Sequence, residues 1–307
     1  MHARLGLLLA GLCLATPACS VEDCPALEKA FQREMEGKRI DSAEAQLEKM
    51  QTVCPQAVVR DDERFFTETV ATEANDLAEN KHWAEAEKLL KKARLDSWAV
   101  SSVRGYIASE RPEGQRDWHE ASSQYSHALE LLTDPDDPKL KAIPNLKDMQ
   151  QRLLALAAES QVIYGKADTS IQRDGSPQGV FKAVVRGVQA VSIPYPVHFD
   201  TDKASLTTEG QQSVDALAQF ILGQRQFQSV TLTGHADPRG STKHNQTLSE
   251  QRAETVARQL KGRLNANGVN IPIHTTGKGE FKPPELQFDL SEEETFRRWR
   301  RVELDFH

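Results

Sequence analysis

The sequence predicts two fold classes in one chain: an α-helical, repeat-like N-terminal domain and an α+β C-terminal domain. Apolar residues recur at helical spacing from about Pro25 to Ser170. From residue 183 onward, strand-like alternation is interleaved with helical periodicity in the order β-α-β-α-β, with a last strand. This order predicts helices packed on a mixed sheet. The length of 307 residues suits two domains, and the net charge of −7 does not favour a nucleic-acid partner.

The N-terminus is typical of an exported protein. Leu5 to Ala15 is an apolar run of signal-peptide length, too short to span a bilayer stably. We therefore expect residues 1–18 to be a signal peptide, with Cys19 as the first mature residue and a lipidation candidate. Thr16 and Pro17 depart from the usual lipoprotein cleavage pattern. A lipid-anchored protein at the periplasmic face of the cell outer membrane, a soluble periplasmic protein and a retained anchor all remain open.

Two cysteines remain once Cys13 and Cys19 are assigned to the signal region. Cys24 precedes one predicted helix and Cys54 ends the next, so a helical hairpin would bring them together. In an oxidising compartment this pair predicts a disulfide, worth roughly 3 kcal/mol for a loop of about 30 residues. Metal binding by the pair is a weaker alternative because no companion ligands lie nearby.

One spacing, i, i+3, i+7 and i+10, recurs three times in the helical region, residues 25–164. The three sets are Ile40-Ala43-Leu47-Met50, Trp83-Ala86-Leu90-Ala93 and Trp118-Ala121-Tyr125-Ala128. They resemble the second helix of tetratricopeptide (TPR) repeats, whose period is about 34 residues. Stacked pairs would form a curved array with an exposed concave face, suited to an envelope protein partner. An irregular bundle, or a spacer without a partner, remains the alternative.

A polar segment containing Gly175 and Pro177 separates the two regions and predicts a linker at 165–182. Beyond it, residues 184–199 fit one or two strands, and the spacing of apolar residues predicts a helix at 208–222. Strands are then expected at 228–233 and 271–276, with a helix between them and a final strand at the C-terminus.

The most specific motif lies where the 228–233 strand ends. Thr233-Gly234-His235-Ala236-Asp237-Pro238-Arg239-Gly240 is followed by Asn245, Leu248-Ser249 and Arg252-Ala253, and later by Arg300-Arg301-Val302-Glu303. In their spacing these elements resemble the OmpA-like C-terminal family of peptidoglycan-binding domains. The resemblance covers about the last 115 residues, within the predicted domain at 183–307. Trp299 stands where the family's last motif has Asn, so no role is carried over to it.

The resemblance implies a binding site for the amino-acid head of diaminopimelate in a peptidoglycan stem peptide. In that family an acid and a base hold this head, and the matching residues here are Asp237 and Arg252. Asp237 would bind the ammonium and Arg252 the carboxylate, a two-point contact that suits a zwitterion. Asn245 and Leu248 would shape the pocket, Phe199, Asp200 and Thr201 would line it, and Arg301 matches a family arginine. The peptidoglycan would then be tethered to the outer membrane or to an envelope complex, without catalysis, cofactor or metal.

Several structural alternatives exist for the same residues. Asp237 and Arg252 would form a plain salt bridge if they bonded to each other, and Arg301 would only anchor a loop. His235 is expected to stabilise the turn. A hydrolase using His235, Asp237 and Ser249 lacks a nucleophile elbow of the G-x-S-x-G type, and a zinc site would have to recruit His244. A scaffold whose repeats recruit the partner, with the C-terminal domain only localising it, is the main alternative function.

Overall fold

A computed structural model describes residues 23–166, 177–188, 192–200, 202–224, 226–285 and 288–307. The predicted signal peptide, Cys19, Thr201 and most of the predicted linker lie outside these residues. Among the helices described, none has both the length and the apolar character needed to cross a membrane.

The helical part begins at Cys24 and ends at Tyr164. Its elements are α1 (Cys24–Glu36), α2 (Ile40–Val53), α3 (Gln56–Glu79), α4 (Trp83–Leu90), α5 (Trp98–Glu110), α6 (Trp118–Leu132), a 3-10 turn at Pro138–Ala142 and α7 (Leu146–Tyr164). The second part follows with α8 (Gly179–Val185), β1 (Ile193–Tyr195), α9 (Thr208–Gly223), β2 (Val230–Gly234), α10 (Thr242–Ala266), β3 (Ile273–Gly277), α11 (Glu292–Trp299) and β4 (Val302–Phe306). The predicted combination of a helical N-terminal part with an α+β C-terminal part is confirmed.

The chain divides into two compact units, residues 1–63 and 64–307. In the described part of the first unit, α1 and α2 lie side by side and bury Phe31, Leu47 and Met50. Cys24 and Cys54 form a disulfide with their Cα atoms 4.9 Å apart. The cross-link joins the start of α1 to the residue after α2, which fixes the two ends of the hairpin.

The recurring spacing corresponds to buried faces of α2, α4 and α6. In α6 its four positions, Trp118, Ala121, Tyr125 and Ala128, are all buried, and small Ala residues let the neighbouring helices approach. The middle set is shorter than its spacing implies, because α4 ends at Leu90 and Ala93 lies beyond it.

The predicted linker at 165–182 is partly helix. α8 begins at Gly179, and its apolar side chains Val180, Phe181 and Ala183 are buried. Glu130 of α6 accepts hydrogen bonds from the Gly179 N–H at 2.6 Å and from the Lys182 ammonium at 3.0 Å. The glycine and proline obscured this segment in the sequence, but its apolar residues bury against the helices that precede them. The predicted linker does not coincide with the division between compact units.

One hydrophobic core joins the later helices to the sheet. It contains residues of α6, α7 and α8 together with residues of β1, α9, β2, α10 and β4. Phe181 of α8 stacks on Phe220 of α9 with ring centroids 4.1 Å apart. Helices α6 to α8 are therefore part of the same packed body as the C-terminal sheet.

The sheet has the strand order β1-β4-β2-β3. β2 runs parallel to β3 and antiparallel to β4, while β4 also pairs antiparallel with β1. The predicted mixed sheet is confirmed. β1 is only three residues long, although 184–199 was predicted to hold one or two strands, because α8 occupies 179–185.

The end of β2 and the first half of α10 approach closely. A Cβ atom at Gly234 would overlap the carbonyl oxygen of Ser249, so only glycine fits at this strand end. Gly240 has φ +114°, which reverses the chain just before α10. Ser241 then caps the helix by accepting a hydrogen bond from the His244 N–H at 3.2 Å. The loop between Gly234 and Ser241 is held against the helix that carries Arg252.

Candidate functional site

A pocket of about 850 Å³ lies where β2 ends and α10 begins. Asp237 comes from the loop between the two elements. Asn245, Leu248 and Arg252 come from one face of α10, because residues three, four and seven apart in a helix share a face. Phe199 and Arg300 complete the walls from the segments before α9 and before β4. The structure thus brings together five of the predicted site residues: Phe199, Asp237, Asn245, Leu248 and Arg252.

Asp237 is buried and fully hydrogen-bonded. Its carboxylate accepts from the Arg239 N–H and Nε at 3.1 Å each, and from Arg239 Nη2 at 2.6 Å. Arg300 Nη1 donates to it at 2.9 Å. Burial alone would raise the pKa of Asp237, but these charged donors outweigh it and hold the pKa at about 2. The carboxylate is therefore ionised at any physiological pH.

Arg252 is buried without an anionic partner in the part of the chain that the structure describes. Only 5% of the residue is exposed, its Nε donates to the Lys203 carbonyl at 3.2 Å, and its Cζ lies 5.0 Å from the centre of the Phe199 ring. Burial, and then the charge of Arg300, lower the pKa of Arg252 to about 10, which leaves it protonated at neutral pH. A buried guanidinium stacked on an aromatic ring and lacking a counter-ion favours an incoming carboxylate.

The structure does not pair Asp237 with Arg252. Within the described residues, the ion pairs of Asp237 go to Arg239 and Arg300. The alternative of a direct Asp237–Arg252 salt bridge is therefore not what the structure shows. An acid and a base instead line one pocket as separate groups, which is the arrangement that a two-point contact to a zwitterion needs.

Asn245 and Leu248 lie deeper in the same pocket. Asn245 is 1% exposed, and its side-chain amide donates to Glu280 at 2.6 Å. This bond ties the start of α10 to the turn after β3. Leu248 is buried and gives the pocket an apolar wall. Both residues are among those that line the pocket.

Two of the predicted residues that the structure describes, Asp200 and Arg301, do not line the pocket. Asp200 is exposed and accepts a hydrogen bond from the Ser205 hydroxyl at 2.7 Å, while Asp202 lines the pocket in its place. Arg301 is 1% exposed, and its Nε and Nη2 both donate to Oε1 of Glu303, so it supports the strand from a buried position. Thr201 lies outside the described residues.

Arg239 and Arg300 line the pocket and were not among the predicted site residues. Arg300 and Arg301 are neighbours, and the chain turns at Arg300, where the Arg301 N–H donates to the Trp299 carbonyl at 3.0 Å. Arg301 pairs with Glu303, two positions on, whereas Arg300 donates to Asp237 and Glu293. The i, i+2 placement of opposite charges was the signal that could have separated them.

The residues considered for catalysis have other roles. The Ser249 hydroxyl accepts from the Gly279 N–H and donates to the Gln246 carbonyl, both at 2.8 Å. His235 is buried with Nε2 3.3 Å from Glu303, and burial lowers its pKa. His244 is exposed and bonds to Asp202 at 2.7 Å. The described residues contain no group of three or more His, Cys, Asp or Glu side chains placed to hold a metal ion.

The pocket at this strand–helix junction is lined by both acidic and basic side chains, which is typical of a domain that binds a small charged ligand. Residues 198–294 match the model of the OmpA family, which confirms the resemblance predicted from the motifs. This match contains all the pocket residues named above except Arg300.

Curated relatives match the same C-terminal part of the chain. The chain is 32% identical over 108 residues to the peptidoglycan-associated lipoprotein of Pseudomonas aeruginosa, covering 35% of this chain and 59% of that protein. It is 29% identical over 104 residues to the protein of the same name from Rhizobium meliloti, covering 33% and 55%. The structure of the peptidoglycan-associated lipoprotein from Burkholderia pseudomallei is 28% identical, covering 36% of this chain and 88% of that chain, with a TM-score of 0.30. The chain thus spans a little over half the length of these two curated relatives.

Proposed function

We propose that this protein binds peptidoglycan without catalysis, through the amino-acid head of diaminopimelate in the stem peptide. The single observation that carries the proposal is the buried Arg252 guanidinium, which has no carboxylate partner in the described chain and lines the same pocket as the ionised Asp237. The names of the relatives, peptidoglycan-associated lipoproteins, support the same ligand.

The chemistry of the pocket fits a zwitterion. The ligand carboxylate would take a two-point contact from Arg252. The ligand ammonium would bind Asp237. Leu248 and Phe199 would cover the aliphatic chain that separates this head from the rest of the peptide.

The anchoring role follows from the ligand. Each charge-assisted hydrogen bond contributes roughly 1.5–3 kcal/mol, and ordering the ligand offsets part of the sum, so we expect micromolar affinity. The wall presents many copies of the ligand, which makes weak single contacts sufficient. We propose a location in the periplasm or at the periplasmic face of the outer membrane, with lipid on Cys19 as the tether. The alternative function is that of a scaffold. In that case the helical repeats would recruit an envelope protein, and the C-terminal part would only localise the assembly.

The test is co-sedimentation of the full mature chain with purified diaminopimelate-type peptidoglycan. We expect the wild type to pellet, and Asp237→Asn and Arg252→Gln each to weaken binding by about 10-fold or more. Arg258→Gln is the matched control because Arg258 is exposed on α10 outside the pocket lining. Added free meso-diaminopimelate should release the wild type from the wall.

A wild type that stays in the supernatant would overturn the proposal. Equal pelleting of wild type and both pocket variants would place wall binding elsewhere on the chain. Retention of a specific envelope protein by the helical region, together with the absence of wall binding, would favour the scaffold alternative.

A further inference from the structure

A second cavity of about 360 Å³ adjoins the diaminopimelate pocket. Its lining includes Phe199, Arg252 and Arg300, which also line the larger pocket, so the two spaces share a wall. Other lining residues are Tyr164 at the C-terminal end of α7, Lys166 just beyond it, Glu209 of α9 and Arg297 of α11. The helical part of the chain thus contributes directly to this cavity.

Positive charge dominates the lining. The lining contains one carboxylate, that of Glu209, and four cationic side chains: Lys166, Arg252, Arg297 and Arg300. Arg300 is neutralised by Asp237 at 2.9 Å and Glu293 at 2.7 Å, and Arg297 lies 3.5 Å from Glu293. For Lys166, as for Arg252, the described residues provide no ion pair. Hydrogen bonds from its own backbone N–H and from Thr207 lower the pKa of Glu209, and the nearby charges of His198 and Lys166 lower it further, so this one carboxylate is shared among several donors. A net cationic cavity results.

The wall formed by α7 is held in place from both sides. Arg298 of α11 makes a bidentate pair with Glu159 of α7 at 2.8 and 3.1 Å, and both side chains are buried. Arg297 donates to the Ile163 carbonyl at 3.3 Å, and His198 hydrogen-bonds to the Gly165 carbonyl. The cavity therefore exists before any ligand arrives, which reduces the ordering cost of binding.

We propose that this cavity is an anion subsite that takes a second carboxylate of the same stem peptide. The inference rests on the proposed function, because it needs the free diaminopimelate head to lie beside Arg252. Two other carboxylates exist in a tripeptide of L-alanine, γ-linked D-glutamate and diaminopimelate: the α-carboxylate of the glutamate and the chain-terminal carboxylate of diaminopimelate. Either is an anion joined by a short peptide to the bound head. The cavity would then distinguish ligands by whether these carboxylates are free or amidated.

The experiment is isothermal titration calorimetry of the full mature chain with this tripeptide and two monoamides. One monoamide carries D-isoglutamine in place of D-glutamate, and the other is amidated at the chain-terminal carboxylate. All three keep the free head that the first pocket binds. The proteins are wild type, Lys166→Gln, Asp237→Asn, and Lys147→Gln as the control, since Lys147 is exposed on α7 outside the cavity lining.

We expect one of the two amidations to weaken binding by the wild type about threefold to fivefold, the range of a partly exposed ion pair. The identity of that amide names the carboxylate. The same penalty should disappear in Lys166→Gln and persist in Lys147→Gln, which is the coupling that a double-mutant cycle isolates.

Two results would overturn the inference in distinguishable ways. If neither amidation changes the wild-type affinity while Asp237→Asn abolishes tripeptide binding, the proposed function stands and the anion subsite does not exist. If the wild type fails to bind any of the three ligands, the diaminopimelate site itself fails and the subsite fails with it. A penalty of equal size in wild type and Lys166→Gln would also contradict the subsite, because the carboxylate would then be recognised elsewhere.

Discussion

At the scale of single residues, Arg239 occupies the position that a ligand ammonium would need. Its guanidinium makes a bidentate contact with Asp237, yet 57% of its side chain is exposed and its Cζ lies 4.4 Å from the centre of the Phe296 ring. Arg300 alone would leave part of the carboxylate open. Binding of a diaminopimelate head at Asp237 therefore requires Arg239 to move away.

This competition predicts that removing a cation will strengthen the binding of a cationic group. We expect Arg239→Gln to raise the affinity for free meso-diaminopimelate about threefold to fivefold, the equivalent of one partly exposed ion pair. Calorimetric titration measures the change, with Arg258→Gln as the control. Weaker binding by Arg239→Gln would instead mean that Arg239 holds Asp237 in its binding orientation.

The ionisation of Asp237 predicts a pH dependence of stability. Its pKa is lowered to about 2 in the folded protein, against about 3.9 for an unperturbed Asp. A lowered pKa stabilises the fold above pH 4, and the contribution is lost as the pH falls from about 4 to about 2. We expect Asp237→Asn to lower the free energy of unfolding by about 1–2 kcal/mol at pH 7, discounted for the exposure of Arg239.

The same variant should differ little from wild type near pH 2. Urea unfolding at pH 7, 4 and 2 measures the difference between the two proteins. A difference that stays constant across this range would show that the loss comes from packing rather than from charge.

The pocket residues were predicted from the resemblance to the OmpA-like family, and local spacing explains why several of them share one surface. The strand end at Gly234 places Asp237 in the loop before α10, and the spacing of Asn245, Leu248 and Arg252 places them on one helix face. The choice between Arg300 and Arg301 was not predictable from the motif alone. It depends on the turn at Arg300 before β4, which directs Arg300 toward Asp237 and leaves Arg301 beside Glu303, its counter-ion.

At the scale of elements, the buried pair between Glu159 and Arg298 joins α7 to α11. The side chains are 4% and 10% exposed, and the contact is bidentate. Removing one partner leaves the other charge buried, which typically costs about 3–5 kcal/mol, whereas replacing both with apolar side chains is often neutral. We expect Glu159→Ala to lower the free energy of unfolding by about that amount.

The double variant Glu159→Leu/Arg298→Met serves as the control for this prediction. It should recover most of the lost stability, as measured by urea unfolding at neutral pH. If the single and double variants are equally unstable, the loss reflects shape at this contact, and the penalty for an isolated charge is not its cause.

Elements with strong periodicity were predicted well, and those that depend on tertiary packing were not. α9 was expected at 208–222 and is found at Thr208–Gly223. α8 and α11 were missed because each has only seven or eight residues, too few for a clear helical repeat. α11 is nevertheless well defined locally, since Ser291 and Glu294 form a capping box at its start.

At the scale of the whole molecule, the later helices pack directly against the α+β part, with no gap between them. Trp118 of α6 lies edge-on to Phe288 with ring centroids 5.2 Å apart, and its Nε1 donates to Glu294 at 2.6 Å. Arg116 donates to the same carboxylate at 2.6 Å. The two parts were distinguished in the sequence by the period of their hydrophobic pattern, helical in one and mixed in the other. That period does not indicate which helix faces pack against the sheet domain.

This packing predicts that the OmpA-like region depends on the helices that precede it. A fragment of residues 177–307 would keep the sheet and α8 but lose the contacts of α11 with Glu159 and of the 288–294 segment with Trp118. Loss of the buried pair alone is worth about 3–5 kcal/mol, and 1 kcal/mol shifts the midpoint of a domain of this size by about 4 °C. We therefore expect the fragment to melt at least about 10 °C below the full mature chain, and to bind a hydrophobic dye through the apolar surface that α6 and α7 cover.

Thermal unfolding followed by near-ultraviolet circular dichroism makes the comparison. If the fragment instead unfolds cooperatively at the temperature of the full chain, the C-terminal part is stable without α6 and α7. The contacts that hold α7 against the second cavity would then contribute little stability.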